Sequence, residues 1–169
     1  MSRVQMLTEL LERAYRGSRY HALRRALEGI DDDVARWRPP HYKGFPWMQG
    51  SILEIAFHAA GDKHALHNTA FGDGALTWEQ IRHRFEQDGG DLAAAIQLAD
   101  AGHEQLLATL RTLRDEQLTQ KVPYYHGRKL TAEEVFLMAA EHDLYHAGQI
   151  WYVRCLIEGE QERKNSTAP

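Results

Sequence analysis

The chain is poor in cysteine, strand signals, basic clusters and long apolar runs, and each shortage narrows what it can be. Cys155 is its only cysteine, so no internal disulfide can form, which fits a reducing cytoplasm. Its setting, YVRCLIEG, suggests a small buried hydrophobe rather than a nucleophile. No cluster of Lys and Arg makes a phosphate-binding stripe, and the formal net charge is −4, so no nucleic-acid partner is expected. The opening MSRVQMLTELLERAYRGSRY carries charges throughout and no apolar block, so neither a secretory signal nor a membrane anchor is expected there. Internal repeats and low-complexity segments are missing too. Strand signals are confined to KVPYY and RKL, flanking His126-Gly127, which could pair as a tiny hairpin that Pro123 keeps short.

What remains is helix. The 169 residues, 43% hydrophobic and 26% charged, suffice for one domain with a core. Over residues 4–27, Leu7, Leu10, Leu11, Ala14, Leu23, Ala26 and Leu27 recur largely at helical spacing, and Gly29 closes that helix. SILE at Ser51 is a capping box opening a helix that stops near Gly72 or Gly74, and TWEQ at Thr77 opens a short one to about Gln87. Asp91 caps a third long helix, with Leu92, Ala95, Ile96, Ala99, Leu106, Leu107, Leu110 and Leu113 as its apolar positions. TAEE, from Thr131 to Glu134, opens the last, which reaches about Glu158 before Gly159.

This pattern reads as an all-α protein: a four-helix bundle with one short extra helix and a long loop between its first two long helices. A single domain over residues 1–159 and a disordered polar tail over 160–169 are expected. In the long loop DDDVARW can make one helical turn before Pro39-Pro40. Trp37, Tyr42, Phe45 and Trp47 are expected to cover one end of the bundle, as a lid or as a plain hydrophobic plug.

Ten histidines are many for this length. His142 and His146, four apart in EHDLYHAGQIWY, project from one helix face and can aim at a common point. Alone, such a pair is more often two core histidines than a metal site. It is not a protease motif, because Asp143 stands where the catalytic glutamate would be. Ala139, His142, His146, Gln149, Ile150 and Val153 form one stripe, so both imidazoles fall on the buried face and need partners. A metal would require a third ligand from another helix. His58, enclosed by IAF and AA, is the choice, with Asp62 one turn later able to orient an imidazole. If the two helices ran parallel, their cap offsets would put these histidines about 6–12 Å apart in height, so the last helix would have to start lower. His67 suits a helix C-terminus and His64 shares its polar setting; His83 and His103 read as surface residues. His21, His41 and His126 stay unassigned. No Glu-x-x-His motif is present, which sets aside a di-iron carboxylate bundle.

SILEIAFHAAGDKH, preceded by ARWRPP and followed by EHDLYHAGQI, resembles the DinB/YfiT-like superfamily of four-helix-bundle metalloproteins over about residues 4–157. The resemblance rests most on His142, His146, Gly148 and Gln149, then on Ser51 and His58. It implies a nickel- or zinc-type divalent metal ion held by His58, His142 and His146. It further implies an enzyme, either an isomerase or S-transferase using a low-molecular-weight thiol or a hydrolase, in a family many of whose members have no known reaction; homodimers are common in the family. Three imidazoles leave positions open for water, thiol or a small-molecule substrate. Asp62 and Gln149 are candidates to support the ligands, with Asp143 and Tyr145 behind them; no general base stands out. The competing reading is a non-catalytic bundle with a structural metal, serving dimerisation or partner binding.

Overall fold

The computed structural model describes residues 1–40, 43–44 and 48–166. Helices α1 (Arg3–Arg16), α2 (Leu23–Ala26), α3 (Asp32–Arg36), α4 (Ile52–Phe71), α5 (Trp78–Gln87) and α6 (Leu92–Thr112) are followed by strands β1 (Lys121–Pro123) and β2 (Lys129–Thr131) and by α7 (Ala132–Ser166). The all-α reading holds. Side chains take up free amides where the sequence places caps: Ser51 Oγ accepts from Glu54 N while the Glu54 carboxylate accepts from Ser51 N, and Asp91 accepts from Ala94 N. Thr131 and Glu134 make the same reciprocal pair at the start of α7.

Two expectations about helix ends are corrected. Residues 4–27 are not one helix, because the chain leaves α1 at Gly17, where an added Cβ would lie 2.3 Å from Arg13 O. The apolar spacing continues beyond the break because α2 also faces the core, through Leu23 and Ala26. Gly29 (φ +70) therefore turns the chain between α2 and α3 rather than ending a long helix. At the other end, α7 continues past Gly159 to Ser166, supported by Glu160 facing Arg163 and Lys164 at 3.6 Å each.

β1 and β2 pair antiparallel with Val122 opposite Leu130, and the tight link places His126 (φ 58) and Gly127 (φ 72) in the left-handed region. The single turn expected in DDDVARW is α3, whose cap Asp31 accepts from Val34 N. Trp37 packs half-buried on the core. Tyr42, Phe45 and Trp47, and with them His41, lie outside the described residues.

Helix directions follow from paired ends. α1 and α7 run parallel, with Arg3 against Glu133 at one end and the Trp151 indole donating to Arg19 O at the other. α6 runs opposite to α1, since Glu12 meets Arg111 while Arg16 meets Glu104 and Asp100. α4 runs with α6: Ile52 and Ala56 share a core with Leu92 and Ala95, and Leu66 and Ala70 share one with Leu106 and Leu110. The order is thus up, down, down, up, with α5 in the long return between the two parallel neighbours. α4 and α7 are antiparallel, so the height mismatch feared for parallel helices does not arise.

Two further readings are overturned by helix phase. His103 is 0% exposed, on the same stripe as Ala99, Leu106 and Leu107, and its ring stacks on Tyr15 at 4.2 Å. Its polar neighbours in DAGHEQ had suggested a surface residue. Cys155, read as buried from its apolar neighbours, is exposed on the side of α7 that carries Tyr152 and Leu156.

Candidate metal centre

Near the middle of the bundle α4 faces α7, and the structure brings together the three histidines singled out from the sequence. Among the described residues, His58, His142 and His146 each offer a ring nitrogen within 4.8 Å of the others. Ring centroids of His58 lie 5.3 Å from His142 and 5.0 Å from His146. His146 is 2% exposed, whereas the His142 side chain keeps 25% of its surface and Asp62 keeps 18%. The cluster therefore opens to solvent on the His142 and Asp62 side.

The tautomers are set from outside the cluster. His146 Nδ1 lies 2.7 Å from Gln149 Oε1, and the Gln149 amide nitrogen donates to Tyr145 Oη at 2.9 Å. That orientation makes Gln149 Oε1 an acceptor, so Nδ1 of His146 carries the hydrogen. The Nδ1 of His142 faces Asp62 Oδ2 at 3.6 Å, where a carboxylate favours a hydrogen on the same atom. Both Nε2 atoms are then left with lone pairs, and they sit 3.0 Å apart. Two acceptors do not satisfy each other at that distance, whereas nitrogens on one zinc-type ion at about 2.1 Å are separated by roughly 3.0–3.4 Å. The donor set fits a divalent cation.

The electrostatics agree. Burial, then the neighbouring histidines, push the His142 and His146 imidazoles down to about 3, so both are neutral, the form that binds metal. Burial also lowers His58, against the opposing pull of Asp62. Burial raises Asp62, countered first by the hydrogen bond that Tyr125 Oη donates to its Oδ1 at 2.9 Å.

Sequence reasoning missed three neighbours. Lys63 is 2% exposed and its Nζ lies 2.6 Å from Asp143 Oδ2; it occupies the buried stripe of α4 between Ala59 and Leu66, a signal that periodicity could have given. Tyr125, from the hairpin link, holds Asp62. Trp78, at the start of α5, lies parallel to the His58 ring. The other described histidines stand apart from the cluster: His64 Nε2 meets Leu98 O at 2.9 Å, His67 Nε2 meets Thr109 Oγ1 at 2.7 Å, and His21, His83 and His126 are exposed.

The DinB superfamily family model matches residues 15–150, which takes in all three histidines. The chain belongs to the DinB superfamily. A search of curated proteins finds no match. The three-histidine cluster of this DinB-superfamily chain can hold a metal ion. No helix among its described residues is long and apolar enough to cross a membrane.

Proposed function

We propose that this DinB-superfamily protein is a metal-dependent enzyme acting on a small molecule, with a nickel- or zinc-type ion held by His58, His142 and His146. The observation that carries the reading is the pair of inward Nε2 atoms 3.0 Å apart, with the outer nitrogen of His146 held by Gln149 and that of His142 facing Asp62. A divalent ion there supplies Lewis acidity and lowers the pKa of a water or thiol in its open positions. Cys155 is exposed two and more turns along α7 from His146, so the thiol of a transferase reaction comes from a low-molecular-weight cofactor; with water in its place the reaction is a hydrolysis. Gln149 and Asp62 orient the ligands, and Tyr125 in turn orients Asp62.

Metal analysis of tag-free protein, before and after incubation with nickel or zinc, tests the reading. One equivalent per chain in the wild type and a sharp drop in His146→Ala are expected. A content that stays near zero, or that is unchanged in His146→Ala, sinks it. The metal-loaded protein is then assayed with a small thiol and electrophiles, and with hydrolysable esters and amides.

The second reading, a structural site in a bundle built for pairing, is favoured by one feature. The outer face of α7 exposes Leu144, Tyr145, Tyr152 and Leu156, and a pocket of about 370 Å³ lies in it between Tyr145, Gly148, Tyr152 and Met48. A second copy of this chain is the proposed occupant of that face. Light scattering of the wild type and Tyr152→Glu checks it: a dimer that the charge dissociates is expected, and a monomeric wild type excludes it.

A further inference from the structure

Among the described residues, two of the three histidines have a polar group within 3.6 Å of the outer ring nitrogen, while Asp62 acts on the third, His58, through its charge alone. Among the described residues no group hydrogen-bonds either ring nitrogen of His58, while Gln149 meets His146 and Asp62 faces His142. What lies against His58 instead is an indole. The rings of His58 and Trp78 are 5° from parallel with centroids 5.7 Å apart. From this geometry we infer that Trp78 is a positioning residue, setting the plane of the His58 imidazole toward the two histidines of α7.

Three features hold the indole in place. Thr77 caps α5 and makes Trp78 its first residue, while Asn68 of α4 accepts from Leu76 N at 2.9 Å and fixes where α5 begins. Phe57 meets Trp78 edge-on at 6.2 Å. Gly61 forms the seat: a Cβ there would lie 2.5 Å from Trp78 Cζ3 and 3.0 Å from Cη2. Only a residue without a side chain lets the six-membered ring lie flat on α4, one turn from His58. A histidine lacking a hydrogen-bond partner to fix its rotation about χ2 gains that restriction from stacking, which is tolerant of the loss or gain of an ion in a way that a hydrogen bond to the ligating nitrogen is not. Trp78 remains 40% exposed, so the indole is not simply core filling.

This inference rests on the metal site proposed above, and its test separates the two. Tag-free protein is titrated with Ni²⁺ against a competing chelator while tryptophan emission is followed. Trp78→Ala is expected to weaken Ni²⁺ binding about tenfold, the size typical of lost support around a ligand histidine. Gly61→Ala, which leaves the indole in the chain but pushes it off its seat, is expected to weaken binding in the same direction. Trp78→Phe keeps a ring beside His58, so it retains affinity within about threefold but loses most of the Ni²⁺-induced quenching. Trp151→Phe, whose ring packs on Tyr20 instead, keeps both. Wild-type affinity in Trp78→Ala and Gly61→Ala, with native helical circular dichroism, overturns the inference. So does unchanged quenching in Trp78→Phe. Should Trp78→Ala fail to fold, Gly61→Ala decides. A wild type that takes up no Ni²⁺ overturns the metal site itself.

Discussion

Lys63 Nζ of α4 lies 2.6 Å from Asp143 Oδ2 of α7, with the two side chains 2% and 0% exposed. This buried ion pair joins the two helices that carry the histidine cluster, and it involves the residue next to His142. The Lys63 ammonium also sits 4.9 Å from the centre of the Tyr15 ring. Burial pushes the Asp143 carboxyl up and the ammonium opposes it. Removing one partner strands the other charge, so Lys63→Met is expected to destabilise the fold by about 3–5 kcal/mol. The double variant Lys63→Met, Asp143→Leu should recover most of that loss, because no buried charge is left. Urea unfolding of the two variants checks this. A double variant no more stable than the single one contradicts it.

The support of His146 predicts a difference between two neighbours. Gln149 accepts from His146 Nδ1, whereas Tyr145 touches the network through the Gln149 amide nitrogen and by ring contact with His146 at 5.0 Å. Gln149→Leu should therefore weaken zinc or nickel binding by about 10- to 100-fold, and Tyr145→Phe by less. Chelator competition on both proteins decides the order; equal losses would falsify the assignment of the hydrogen bond.

His103 makes stability depend on acid. Burial, then the positive charges of Lys63, Arg16 and Arg111, lower its imidazole to about 3. Glu12, at 3.5 Å from Nε2, and the Tyr15 ring also face it. The folded-state value lies below the ordinary 6.5, so the unfolded chain takes up a proton that the folded one refuses. The stabilisation is complete above pH 6.5 and is lost as pH falls from there toward 3. In His103→Leu the fall in metal-free stability between pH 6 and 4 should be shallower by up to about 1.4 kcal/mol per pH unit. Denaturant melts across that range measure it. Parallel slopes for wild type and variant would remove His103 from the account.

Gly102 lets α4 and α6 approach closely. A Cβ there would meet Lys63 Cβ at 2.8 Å and His64 Nε2 at 3.1 Å. Gly102→Ala gains helix propensity worth about 1 kcal/mol, yet the backbone-linked Lys63 Cβ cannot swing aside. A net loss of about 1–3 kcal/mol is expected, read from the shift of the urea midpoint; a more stable variant would mean that the helices separate freely.

The long helices and the histidine cluster were legible because both are written in local sequence. Capping boxes at Ser51, Thr77 and Thr131 fix helix starts within a few residues, and four-residue spacing puts His142 and His146 on one face. What escaped the reading depends on contacts made across the bundle. Gly17 looks like any glycine until its exit angle is known, and α4 and α7 reveal their opposed directions only when packed. His103 and Cys155 were judged by their neighbours in sequence, when phase around the helix axis decides exposure. Tyr125 and Trp78 reach the cluster from a hairpin link and a side helix, and no spacing rule connects such elements to His58.

The opposed directions of α4 and α7 carry one more consequence. His58 comes from the first half of the chain and its two companions from the last helix, so the three donors converge only once α4 and α7 have packed together. An ion bridging them would act as a clasp on the packed helices and would have little hold on the open chain. Its presence at one hundred times its dissociation constant would add about 2.7 kcal/mol to the folded state, and would end the standoff between the two facing lone pairs. The melting temperature of the protein should thus rise with free metal concentration, turning a thermal melt into a gauge of site occupancy.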